Sequence, residues 1–94
     1  MMNYASAVNV LAKAGYRISN KCVFDGEMYH DFNANKRDAA VSLIIDESTG
    51  TVKRAEVTRR EWSDKTYRYE PVKENILDLQ TLIEKFAPRE VITL

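Results

Sequence analysis

Apolar residues recur at three- and four-residue spacing near the N-terminus: Tyr4, Ala7, Val8, Leu11, Ala14 and Ile18. That period puts them on one face of a helix, predicted over Asn3 to Arg17. Asn3 is its candidate N-cap, because its side chain can accept from free amides of the first turn. Gly15 is the candidate stop, and Ile18 is expected to pack just beyond it. From Asn20 to Phe32 the pattern changes. Val23 and Phe24 precede Asp25-Gly26, and Met28, Tyr29 and Phe32 follow it. Asp-Gly between apolar residues favours a hairpin turn, and the alternative is one strand bulged at Gly26.

The pattern is strongest from Ala39 to Arg60. An apolar run, Ala39 to Ile45, leads into Asp46-Glu47-Ser48-Thr49-Gly50 and a returning run, Thr51 to Trp62. Asp46 can accept from the turn backbone and Gly50 can take positive φ, so this segment reads as a β-hairpin. The returning run alternates imperfectly: Val52 and Trp62 share one parity, Ala55 and Val57 the other. Either a bulge intervenes or both faces are partly covered. Asp64 to Glu70 alternates through Tyr67 and Tyr69 and can add a short fourth strand. Pro71 suits the first turn of a helix, and Val72, Ile76, Leu79, Ile83 and Phe86 form an apolar stripe that Leu77 and Leu82 widen. Pro88 would end it, leaving residues 88–94 as a tail or a short strand. The expected fold is therefore α+β: one domain over residues 1–94, a two-layer sandwich in the order helix, three or four antiparallel strands, helix.

Ninety-four residues suffice for one hydrophobic core, and 45% hydrophobic content suits a globular chain. Fourteen Lys and Arg balance fourteen Asp and Glu. Dedicated nucleic-acid binders are usually basic, so this balance argues against that class without removing local basic faces. The single cysteine, Cys22, cannot form an internal disulfide. No secretory pattern opens the chain, and no apolar run approaches the length of a membrane span. A cytoplasmic protein is expected.

Chemistry-bearing residues are sparse. Cys22 and His30 make a nucleophile pair only if the Asp25-Gly26 turn folds them together; otherwise His30 is a surface residue and Cys22 a half-buried thiol. They cannot supply a closed zinc site. Asp38, Asp46 and Glu47 lack calcium-loop spacing. Asp25 and Glu27 have no apolar cleft, and three glycines include no phosphate loop. No catalytic, metal or cofactor site is expected. The return strand is richer: Lys53, Arg54, Arg59 and Arg60 cluster there, Lys65 and Arg68 follow, and Trp62, Tyr67 and Tyr69 lie among them. Arginine with exposed aromatics makes protein-binding hot spots and can also grip phosphates and stack bases. The plain alternative is a solvated face paired with Glu56 and Glu61.

The element order is shared with double-stranded-RNA-binding domains. Their last helix opens on a lysine-rich segment, whereas here it would open Glu70-Pro71-Val72-Lys73-Glu74, so that function does not transfer. Residues from about 10 to 57 resemble PepSY-type modules, through Ala14-Gly15-Tyr16, Asp25-Gly26 followed by a tyrosine, and Asp46-Glu47-Ser48-Thr49-Gly50-Thr51-Val52. The resemblance implies a non-catalytic domain that inhibits or chaperones proteases in secreted or membrane-bound proteins. This chain departs from that setting in lacking a signal segment and adding a C-terminal helix, and no site residues carry over. The expected function is a small non-enzymatic protein-binding module, an inhibitor or regulator of a larger partner, using Arg59, Arg60, Trp62, Tyr67 and Tyr69. The alternative is a nucleic-acid module using Lys53, Arg54, Arg59 and Arg60. A homodimer, through an edge strand or through Leu77, is a third expectation.

Overall fold

A computed structural model describes residues 2–35 and 39–86. Its elements are β1 (Met2–Asn3), α1 (Tyr4–Lys13), β2 (Arg17–Phe24), β3 (Glu27–Asn33), β4 (Ala40–Asp46), β5 (Thr51–Ser63), β6 (Arg68–Ile76) and α2 (Leu79–Phe86). All six strands form one sheet in the order β1-β5-β4-β3-β2, and β6 also pairs with β5. Every pairing is antiparallel. The two helices pack against each other and share one core with the sheet.

The first helix begins as its sequence indicates. Asn3 is extended, and its Oδ1 accepts from the Ser6 amide at 3.0 Å. The helix ends at Lys13, earlier than Arg17. The Tyr16 amide donates to Leu11 O at 2.9 Å and the Gly15 amide to Ala12 O at 3.0 Å, with Gly15 at φ +91°. These two bonds are a Schellman closure, whose apolar partner beyond the glycine is normally buried. Tyr16 takes that place, at 2% exposure. Ile18 instead lies exposed on the edge strand β2, so the expectation of its packing beyond the helix end is corrected.

Asp25 and Gly26 both have positive φ, +51° and +76°. That is a two-residue turn of the type that matches strand twist, and it resolves the second segment into β2 and β3. The loop after β4 closes through the Gly50 amide on Asp46 O at 2.9 Å, while Asp46 Oδ1 accepts from the Ser48 amide at 3.1 Å. On β5, Val52 opposes Ile45 while Arg54 opposes Ile44, so Lys53 is an extra residue. This bulge accounts for the imperfect alternation. It returns Ala55 and Val57 to the face of Val52, and all three are buried against the helices.

The expected helix–three or four strands–helix sandwich is overturned. The sheet has six strands, one of them preceding α1. The segment from Pro71 to Ile76, read as the start of a helix, is the second half of β6 and pairs with β5 from Pro71 opposite Arg60 to Ile76 opposite Ala55. Val72, Glu74 and Ile76 satisfy a period of two as well as Val72 and Ile76 satisfy a helical spacing. Tertiary pairing decides the matter by burying Ile76 and extending the sheet. Pro71 is tolerated because β6 is an edge strand. The helix starts where Asp78 caps it, accepting from the Thr81 amide at 2.8 Å. Leu82 and Phe86 form its buried face, and Leu77 and Ile83 are exposed. The expectations for Pro88 and the last six residues lie outside the described residues. Among those described, no helix is long and apolar enough to cross a membrane.

This geometry separates two leucines that the helical stripe would have grouped. Leu82→Ala is expected to cost about 2–5 kcal/mol in a denaturant titration, and Leu77→Ala to stay within about 0.5 kcal/mol of wild type. Comparable losses at both positions would contradict the strand assignment of β6.

Candidate interaction surface

Ala40 opposite Thr58 is the last pair between β4 and β5. Among the described residues, β5 from Arg59 onward is paired only to β6, from Val72 back to Arg68. The two strands thus project as a ribbon, closed by the loop at residues 64–67. Alternation divides its side chains. Arg60 and Trp62, opposite Pro71 and Tyr69, lie on the sheet face away from the helices. Arg59 and Glu61, opposite Val72 and Glu70, lie on the helix side.

On the open face Trp62 and Tyr69 form a cross-strand pair, ring centroids 5.3 Å apart and planes at 72°. Such edge-to-face pairs contribute beyond their buried area. Trp62 is nevertheless 53% exposed, and its Nε1 donates to Asp64 Oδ1 at 3.1 Å. Arg60 is also exposed, on the same face as both rings.

Tyr67 closes the loop. Its amide donates to Ser63 O at 2.9 Å, the same span as Gly50 to Asp46, and its φ is +53° against +67° for Gly50. Tyr67 therefore occupies the position that glycine fills in the neighbouring hairpin. For a bulky residue that backbone region is strained. Its ring offsets none of this strain by burial, being 79% exposed.

Arg59 is separated from the other four residues of its expected site. It approaches Glu61 at 3.5 Å and Glu74 at 3.6 Å, and Glu74 also takes Lys85 Nζ at 2.7 Å. Hydrogen bonding from Lys85 holds the Glu74 carboxyl below its ordinary range. Arg59 thus helps tie β5 and β6 to α2. The basic set of the alternative reading is also split. Arg54 grips Glu27 with two nitrogens, at 3.1 and 3.2 Å, and lies 3.5 Å from Glu56. Lys53 comes within 4.0 Å of the same Glu27. The Arg54 hydrogen bond, against some desolvation, depresses the Glu27 pKa. Six steps along the strand, about 20 Å, separate Arg54 from Arg60.

No nucleophile pair forms. The hairpin sets Cys22 opposite Tyr29 and Lys21 opposite His30, which places Cys22 and His30 on opposite faces. His30 is not a free surface residue: its Nδ1 lies 2.8 Å from the Tyr4 hydroxyl, their rings meet edge-on, and burial lowers its pKa. It fastens α1 to the sheet. Cys22 is exposed rather than half-buried. Among the described residues, no cluster of three or more His, Cys, Asp or Glu could hold a metal. A groove of about 330 Å³ between α1 and α2 is lined mainly by Val10, Leu79, Ile83 and Phe86, without converging titratable groups.

The Trp62–Tyr69 pair was within reach of the sequence, by counting back from the loop at residues 64–67. The glycine-like backbone of Tyr67 was not, since a tyrosine gives no sign of positive φ. Comparison with protein-family models, with curated proteins and with solved structures finds no match.

Tyr67→Gly is expected to leave the fold as stable as wild type or to raise its stability by up to about 1 kcal/mol, because the strain is relieved and little packing is lost. Gly50→Ala is expected to lower stability by a similar amount. Denaturant midpoints check both, and a clear loss for Tyr67→Gly would make the ring a structural brace.

Proposed function

We propose that the protein is a small non-enzymatic protein-binding module, an inhibitor or regulator of a larger partner, and that it binds through the tip and open face of the β5–β6 ribbon. Arg60, Trp62, Tyr67 and Tyr69 form the contact; Arg59, tied to Glu74, is left out of it. One observation carries this reading. A tyrosine sits in a glycine conformation at the ribbon tip with its ring in solvent, beside an exposed Trp–Tyr pair. Strain that the fold does not need, held where side chains point outward, is characteristic of recognition surfaces. Tryptophan, tyrosine and arginine are the residues that most often dominate binding energy.

The PepSY-type resemblance of residues from about 10 to 57 implies the same class, a non-catalytic inhibitor. The nucleic-acid alternative ranks second. A two-stranded ribbon fits a major groove, but Arg59, Arg60, Lys65 and Arg68 on this ribbon are nearly offset by Glu61, Asp64 and Glu70. Lys53 and Arg54 are committed to Glu27.

Affinity capture from native lysate, with and without nuclease and at two salt concentrations, separates the readings. A protein retained through nuclease and moderate salt is expected. Trp62→Ala and Arg60→Ala should each weaken its capture about tenfold or more, corresponding to at least about 1.4 kcal/mol, with unchanged circular dichroism. Wild-type capture by both folded variants would exclude this surface. Recovery of nucleic acid that is lost at moderate salt would favour the alternative.

A further inference from the structure

The two edges of the sheet differ in how they are protected. Along β6 the edge carries Pro71, which has no N–H to offer, and a run of charges around it. At the opposite edge, among the described residues, β2 is paired on one side only, with β3, and is exposed along all eight residues. It displays Val23 at 67% and Phe24 at 69% exposure, with Ile18 nearer its start. Its protections are Lys21 and a bulge at Ser19, where Ile18 opposes Phe32 and Asn20 opposes Asp31. The stretch from Asn20 to Phe24 is regular, apolar at its end and, among the described residues, unpaired outward.

We propose that this stretch pairs antiparallel with the same stretch of a second copy, forming a symmetric dimer with a continuous sheet. The turn geometry fixes which residues of β2 bond outward. A two-residue turn closes on a hydrogen-bonded pair, here Phe24 with Glu27, and the pattern alternates from there. Cys22 with Tyr29 is then also a bonded pair, so its N–H and C=O point inward. Lys21 and Val23 direct theirs outward. A two-fold axis perpendicular to the sheet must pass through a residue if each face is to continue into the same face of its copy. Centred on Cys22, it makes Lys21 and Val23 exchange hydrogen bonds with the Val23 and Lys21 of the second copy. The Lys21 stem then lies along the opposing Val23 while its ammonium stays in water, and Phe24 lies opposite Asn20.

Charge favours the same arrangement. The hairpin runs from a basic beginning, Arg17 and Lys21, to an acidic turn at Asp25, Glu27 being held by Arg54 and Lys53. Antiparallel self-pairing brings the basic beginning of each copy to the acidic turn of the other, twice over. Centring on Lys21 would oppose two like charges directly. Centring on Asn20 would run the pairing into the bulge at Ser19. A short strand contact is at the low end of interface sizes, so a reversible dimer of micromolar or weaker affinity is expected.

Sedimentation equilibrium of the intact chain up to about 1 mM tests this. Reversible dimerisation is expected, weakened at least tenfold by Val23→Lys and also weakened by Arg17→Asp, with the circular dichroism of both variants unchanged. A monomer throughout, or a dimer indifferent to Val23→Lys, overturns the proposal. Cys22 reports the register: at this axis two opposed Cα atoms lie about 4.5 Å apart, within reach of a disulfide. Copper–phenanthroline oxidation should link wild-type chains at least tenfold faster than Val23→Lys chains, and equal rates would overturn the pairing.

Discussion

One residue sets what each side of β5 does. Side chains alternate along a strand, so a slip of one position exchanges the two faces of everything beyond it. Lys53 is that slip: Val52 opposes Ile45, and Arg54 already opposes Ile44. Without the extra residue, Val52 would put Trp62 and Arg60 on its own side, toward the helices, and would turn Ala55 and Val57 out to water. With it, Val52, Ala55 and Val57 are all in the core, and Arg60 and Trp62 fall on the open face. The bulge also brings Lys53 and Arg54 to the same carboxylate, Glu27, which stitches β5 to β3 across β4. Ile44 is fully buried between Tyr29 and Arg54 in the strand register, so the open face has a small apolar centre of its own.

The helix side is held by contacts that close the layer over the sheet. Tyr4 meets His30 from the start of α1, Tyr16 meets Phe86 edge-on at 5.3 Å, and Lys85 meets Glu74. Tyr16 and Phe86 are buried and Tyr4 and His30 partly so, while the ion pair is partly exposed and contributes modestly. All lie on the body of the sheet. Among the described residues, the ribbon beyond Thr58 is ordered by its own cross-strand pairs, by short-range contacts such as Trp62 with Asp64 and Tyr67 with Ser63, and by the contacts of Arg59 with Glu61 and Glu74. A segment with so few buried contacts can carry a strained tyrosine at its tip without drawing on core stability.

Much of this was legible in the sequence. The cap at Asn3, the stop at Gly15, the Asp25-Gly26 turn and the Asp46–Gly50 hairpin were all marked by residues whose chemistry has few other uses. The bulge was legible as a conflict of parity, without its position. What failed was the segment after Pro71. There the apolar residues fit both periods, proline suits a helix start and an edge strand alike, and the deciding quantity was the free edge of β5, which no local pattern contains. Asp78, three residues before Thr81, was the available sign of the true helix start. Of the candidate site, the aromatic residues were legible as a cluster in sequence. The division that sends Arg59 to the helix side and Arg60 to the open side follows from alternation along β5 once the bulge has returned Ala55 and Val57 to the core face.

The two proposed contacts lie at opposite edges of one sheet, and their geometry is linked. A two-fold axis perpendicular to the sheet, through Cys22, keeps the open face of each copy on the same side of the joined sheet. The two ribbons would then lie at opposite ends of the joined sheet, since β2 lies across the sheet from β6, and their relative direction would follow from the twist of about 20° accumulated at each strand pair between them. Such an arrangement converts a weak contact by each ribbon into a bivalent one, provided the partner offers two sites at a matching separation; where it does not, avidity is lost. The fold would then set affinity through spacing as much as through the chemistry of four exposed side chains. The marginal dimer would be the adjustable part, because its population depends on concentration while the ribbon does not change.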